Sequence, residues 1–137
     1  MKINHECIRD VMIFLESYDY YTLDSDGQVV PKQIFIHNIF TALPQYSEPD
    51  IFYSIFNLSQ AGYLNISSDI KQYGIKCAVN YITFNGHEFL EKIKSDNNWS
   101  KVKKGLNFLQ DYSLSAISAL ASGITEGAVA TYLSSIK

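Results

Sequence analysis

The sequence predicts a mainly helical α+β fold. Apolar residues recur at spacings of three and four along residues 5–18, 32–43 and 48–61, the period drops to two between residues 64 and 81, and two more helical patterns follow. A chain of 137 residues, 47% hydrophobic and 18% charged, is long enough for one modest core and too apolar to remain disordered.

Each element has a local justification. Asn4 is placed to cap a first helix over residues 5–18, with Ile8, Val11, Met12 and Leu15 on one face. An Asp26-Gly27 turn signal then precedes a short β-branched run, which reads as a strand at 28–30. In residues 32–43, Ile36, Ile39, Phe40 and Leu43 turn inward, and Pro44 ends the helix. Ser47 caps the third helix, Pro49 suits its first turn, Ile51, Ile55 and Leu58 form its inner stripe, and Gly62 stops it. Leu64 and Ile66 begin a hairpin, a polar loop follows at 67–74, and Ile75, Cys77, Val79 and Tyr81 take the inward parity of the second strand. Thr83 or Asn85 caps a helix over 84–95. Trp99, Val102, Leu106 and Leu109 mark another over 97–110.

The end of the chain, residues 113–136, carries one charge, Glu126. Its serine, threonine and glycine content and that carboxylate argue against a membrane span. Ala119, Gly123, Gly127 and Thr131 recur every four residues, a small-residue ridge that would let a second helix approach, so this stretch reads as a packing and dimerisation helix.

The formal charge of −3 conceals a gradient: residues 1–62 hold eight carboxylates against Lys2, Arg9 and Lys32, whereas residues 63–110 hold seven lysines against four carboxylates. A polyanion would meet the middle of the chain first. Cys7 and Cys77 are far apart, and no apolar signal core follows the N-terminus. Free, buried thiols in a reduced, cytoplasmic setting are therefore expected.

Three helices, the third ending "LSQAGYL", then a hairpin running into "ITFNGHEFL", resemble the order of a winged helix-turn-helix domain. That likeness implies a domain over residues 1–95 made of three helices and a β-hairpin wing, followed by a C-terminal helical extension over 96–137. The segments "MKINHECIRDVMIFLE", "YSEPDIFYSIFNLSQAGYL" and "ITFNGHEFLEKIKSDNNWSKVKK" also resemble an uncharacterised domain-of-unknown-function family, frequent in prophages and mobile elements of Gram-positive bacteria. The resemblance implies a fold and a phage-like setting, and brings no catalytic residues.

The chemical motifs fail one by one. His87-Glu88 begins like a zinc-protease helix, but position 91 is Glu91 where a second histidine would be needed, so His87 reads as structural and Glu88 as a helix-start carboxylate. His5, His37, His87 and the two cysteines show no paired ligand spacing, which leaves no metal site. No phosphate-cradling glycine pattern occurs. The chain therefore reads as non-enzymatic, with no cofactor.

Binding is what remains. In a winged helix, residues 48–61 would be the recognition helix, presenting Glu48, Tyr53, Ser54, Asn57 and Gln60, while Lys71 and Lys76 on the wing would meet phosphates. That helix brings no lysine or arginine, although phosphate contacts dominate DNA affinity. Tyr18, Tyr20, Tyr21, Tyr46 and Tyr53 suit a protein-binding face, or else serve as lids over the core. The leading expectation is a phage-type, homodimeric protein that binds a macromolecule, a host regulatory or defence protein among the candidates. The alternative is a DNA-binding transcriptional regulator using helix 48–61 and wing 67–76.

Overall fold

The computed structural model describes residues 1–72 and 74–123, and it is α+β with six helices and two small antiparallel sheets among them. Helix α1 (His5–Glu16) opens where Asn4 Oδ1 accepts from the Cys7 amide at 3.1 Å, and it buries Cys7, Ile8, Val11, Met12 and Leu15 at the centre of the core. Strands β1 (Tyr21–Leu23) and β2 (Val29–Pro31) form a largely exposed hairpin. Its turn is organised locally: Asp24 Oδ1 accepts from the amides of Asp26 and Gln28, and Gly27 takes φ +77°, open to glycine at little cost.

Strand β3 (Ile34–Phe35) runs directly into α2 (Ile36–Ala42), so the helix expected over 32–43 begins four residues late. Tertiary pairing overrides local propensity here. Ile34 and Phe35 lie opposite Val79 and Ala78 of β5, and Ile34 is buried by that pairing. Helix α3 (Glu48–Gln60) is capped by Ser47 as expected and closed by Gly62 at φ +84°, with the Tyr63 amide donating back to the Leu58 carbonyl.

The hairpin of β4 (Leu64–Lys71) and β5 (Gly74–Ile82) is longer and tighter than the expected polar loop allowed, with only residues 72 and 73 between its strands. Ser67, Ser68 and Asp69 are paired strand residues despite their polarity. A bulge between Asn65 and Ile66 makes Asn80 the extra residue, and its side-chain amide donates to Asn65 Oδ1 and Ser67 Oγ. The bulge resets the alternation. Cys77, Val79 and Ile82 face the core, whereas Tyr81 and Ile75, expected inward, are exposed. The sheet order is β3-β5-β4.

Helices α4 (Phe84–Ile93), α5 (Asp96–Leu109) and α6 (Leu114–Ala121) follow, capped by Thr83, Ser95 and Ser113. Because α4 begins at Phe84, Glu88 lies beyond the first turn and gains little from the dipole. Helix α5 is bolted to α1: the Arg9 guanidinium donates to the carbonyls of Ile93 and Lys94 and to Asp96, lies 5.6 Å from the Trp99 ring, and the Trp99 indole donates to Glu6. Trp99, Val102, Leu106, Leu114 and Ile117 belong to the same apolar cluster as α1 and α3, so one core crosses the boundary drawn at residue 95.

The small-residue ridge does not lie on one continuous helix. Helix α6 ends at Ala121 and Gly123 has φ +80°, which is outside helical geometry, while Gly127 and Thr131 lie outside the described residues. No helix among the described residues is long and apolar enough to cross a membrane.

Candidate interaction surface

The residues singled out on α3 do not form one face. Ile51, Ser54, Ile55 and Leu58 point into the core, and Ser54 is 1% exposed. Its hydroxyl is hydrogen-bonded with the Cys7 thiol, so Ser54 is removed from the binding set and becomes a buried polar group with a partner. A 3.6-residue repeat places position 54 between the inward positions 51 and 58, which the polarity of serine obscured.

What α3 presents outward is aromatic and acidic. Phe52 stacks on Phe56 one turn later, with ring centroids 6.4 Å apart, and Phe56 is 40% exposed. Tyr53 and Asn57 are half-buried, and the Asn57 amide is spent on the Tyr53 carbonyl at 2.8 Å, which reduces its freedom to read a base. Glu48 and Gln60 are exposed at the two ends. Phe52 and Phe56 were legible in the sequence as an i, i+4 aromatic pair, but they were hidden beside a stronger inward stripe.

Helix α6 lies beside the C-terminal end of α3, across an open cleft of about 610 Å³ bounded by Asn57, Gln60, Tyr63, Leu114, Ser118 and Ala119. The Tyr63 hydroxyl donates to Ser118 Oγ at its base. Ala119 thus lines a cleft within one chain.

On the hairpin, Lys76 is exposed but stands directly opposite Asp69, so its positive charge is partly offset. Lys71 pairs with Gly74 at the end of the ladder. The tip is apolar on the core-facing side, where Ile70 and Ile75 face each other beyond the edge of the core, 82% and 47% exposed.

The remaining reactive groups are enclosed. Cys7 and Cys77 are free and buried, and burial pushes both thiols above their ordinary range. The Tyr46 hydroxyl donates to Asp10, and burial with that carboxylate raises its pKa strongly. Tyr18, Tyr20 and Tyr46 pack against the core as half-buried lids, whereas Tyr21 is 60% exposed. Among the described residues no three His, Cys, Asp or Glu side chains converge as metal ligands.

A family model described as "Hypothetical protein (DUF2513)" matches residues 2–110. The chain belongs to the DUF2513 family. The matched segment runs from α1 to the left-handed Gln110 that closes α5, so it includes α3, the hairpin and the α1–α5 clamp, and it stops before α6. No curated protein and no solved structure matches the chain.

Proposed function

We propose that this DUF2513 protein is a non-enzymatic, winged-helix-like module that binds another protein through the outer face of α3. The order α1, β3, α2, α3, β4, β5 with a β3-β5-β4 sheet supports the winged-helix reading, with the β4–β5 hairpin as its wing. The observation that carries the choice of partner is the composition of α3: Phe56 exposed and backed by the half-buried Phe52 and Tyr53, Glu48 at the start, and no lysine or arginine along its length. Aromatic side chains anchor protein interfaces, whereas a helix entering a DNA groove needs cations near phosphates. The phage or prophage setting suggested by the sequence resemblance makes a host regulatory or defence protein a reasonable class of partner.

The test is affinity capture of the tagged protein from a host-type lysate, with and without nuclease, alongside Phe52→Ala and Phe56→Ala variants. A stoichiometric protein that survives nuclease and is lost with either variant is the expected result. Capture that is indifferent to both substitutions would remove α3 from the interface.

A DNA-binding regulator is the second reading, favoured by the projecting hairpin with Lys76 exposed and Lys71 at its end. It requires DNA retardation at low salt that disappears in a Lys71→Glu, Lys76→Glu variant. Homodimerisation through Ala119 and the residues that follow it belongs to either reading, and Ala119→Leu with a solution mass measurement tests it.

A further inference from the structure

A second cleft, of about 390 Å³, lies on another part of the molecule, between the end of α1, strand β1 and the β5–α4 junction. Its wall is formed by Tyr18, Tyr20, Tyr21 and Tyr81, with the carboxylates of Glu16 and Asp19 at its margin. The proposed α3 interface uses none of these residues, so this cleft stands independently of that reading.

Three features show that the cleft attracts cations, two of which the chain itself already supplies. It sits at the C-terminal end of α1, where the helix dipole is negative and the last turn holds no basic residue. Its aromatic rings offer electron-rich faces, which attract cations within about 6 Å of the centroid. The region already collects the chain's own cations: Lys32 Nζ lies 5.4 Å from the centre of the Tyr18 ring, and the Lys94 ammonium pairs with Glu16. Tyr18 and Tyr20 are further committed through their hydroxyls to the carbonyls of Gln33 and Leu15.

What remains available is Asp19, the Tyr21 ring and the Tyr81 ring. Asp19 is exposed, and Tyr21 and Tyr81 are 60% and 39% exposed. His87, from the first residues of α4, completes the rim as a further hydrogen-bonding group. A planar cation fits this set better than a compact one, because it can lie on a tyrosine face while its edge donates to a carboxylate.

We propose that this tyrosine-walled cleft binds a guanidinium group, held by the Asp19 carboxylate and stacked against Tyr21 or Tyr81. The group could be supplied by an arginine side chain of a partner or by a free arginine-like metabolite.

The test is a nuclear magnetic resonance titration of the full chain with N-acetyl-arginine N-methylamide, with free arginine, and with the citrulline counterpart of the first probe. Citrulline keeps the shape and removes the charge. Saturable shifts at the amides of Asp19, Tyr21 and Tyr81 with a guanidinium probe, and none with citrulline, are expected. Asp19→Asn should weaken binding roughly five-fold, the size of one exposed cation–carboxylate pair. Tighter binding of the capped probe assigns the site to a peptide arginine, and tighter binding of free arginine assigns it to a metabolite. Equal shifts with citrulline, no saturable shift with either guanidinium probe, or an affinity unchanged in Asp19→Asn would overturn the proposal.

Discussion

Gly86→Ala is a severe substitution for a reason confined to one atom. A Cβ built on Gly86 would stand 2.1 Å from the Tyr63 carbonyl oxygen and 2.8 Å from Ile82 Cγ2. An ordinary carbon–oxygen contact is about 3.3 Å, so the carbonyl would have to retreat by roughly 1 Å. It is not free to do so. The same oxygen accepts from the Thr83 amide at 3.1 Å, and the Tyr63 ring stacks on Phe89 with centroids 4.6 Å apart. Overpacking of this kind costs about 1–3 kcal/mol, loss of a hydrogen bond adds about 1, and the better helix propensity of alanine returns up to about 1. The net expectation is a loss of about 2 kcal/mol, or roughly 5–10 °C in midpoint for a domain of this size.

Trp99, the only tryptophan, is 3% exposed and gives a fluorescence reading of urea unfolding. Gly105→Ala is the matched control, since the nearest atoms its Cβ would meet are the two methyl ends of the Leu120 side chain, at 2.7 Å and 2.9 Å. A leucine end can rotate away while alanine improves the helix, so this variant should stay within about 1 kcal/mol of the parent. A Gly86→Ala protein within about 0.5 kcal/mol of the parent, or a Gly105→Ala protein equally damaged, would refute the reasoning.

Three further outcomes follow from the packing. Arg9→Met should cost about 2–3 kcal/mol in urea unfolding, because it strips donors from the carbonyls that end α4 and from a side chain only 13% exposed. Asp96→Asn should change little, since Asp96 is fully exposed. Neither Cys7 nor Cys77 should react quickly with a thiol reagent at pH 8 until urea opens the core, and fast labelling of the native chain would contradict their burial. Both thiols have folded pKa values raised above the ordinary 9.0, so the unfolded chain loses their protons first. The stability they contribute is therefore complete below about pH 9 and falls as pH rises beyond it. Tyr20 and Tyr46, raised from the ordinary 10.0, extend the fall to higher pH. Replacing both cysteines by alanine should flatten the first part of that slope in alkaline unfolding series.

The starts of α1 and α3 were legible in the sequence, and that of α4 was narrowed to Thr83 or Asn85, because a cap is a contact between near neighbours. Asn4, Ser47 and Thr83 each accept from an amide three residues ahead, and no distant residue is needed to place them. The apolar stripes of α1 and α3, and that of α5 except for Leu109, which is 43% exposed, were legible for the same reason, since a 3.6-residue repeat is visible along the chain itself. The charge gradient and the absence of cations on α3 also needed no coordinates.

Tertiary structure decided whatever depended on a partner distant in sequence. Pairing with β5 turned Ile34 and Phe35 from helix to strand, and the bulge at Asn80 exchanged Tyr81 for Ile82 on the inner face, because strand parity is set by register. Ser54 became a core residue only through Cys7 on α1, and Phe56 stayed 40% exposed with the Phe52 ring stacked beside it. The tyrosine-walled cleft joins the end of α1 and the following loop to the β5–α4 junction, more than sixty residues further along. Such a site exists only once the chain has folded, because proximity between distant segments is a property of packing and leaves no local pattern to read.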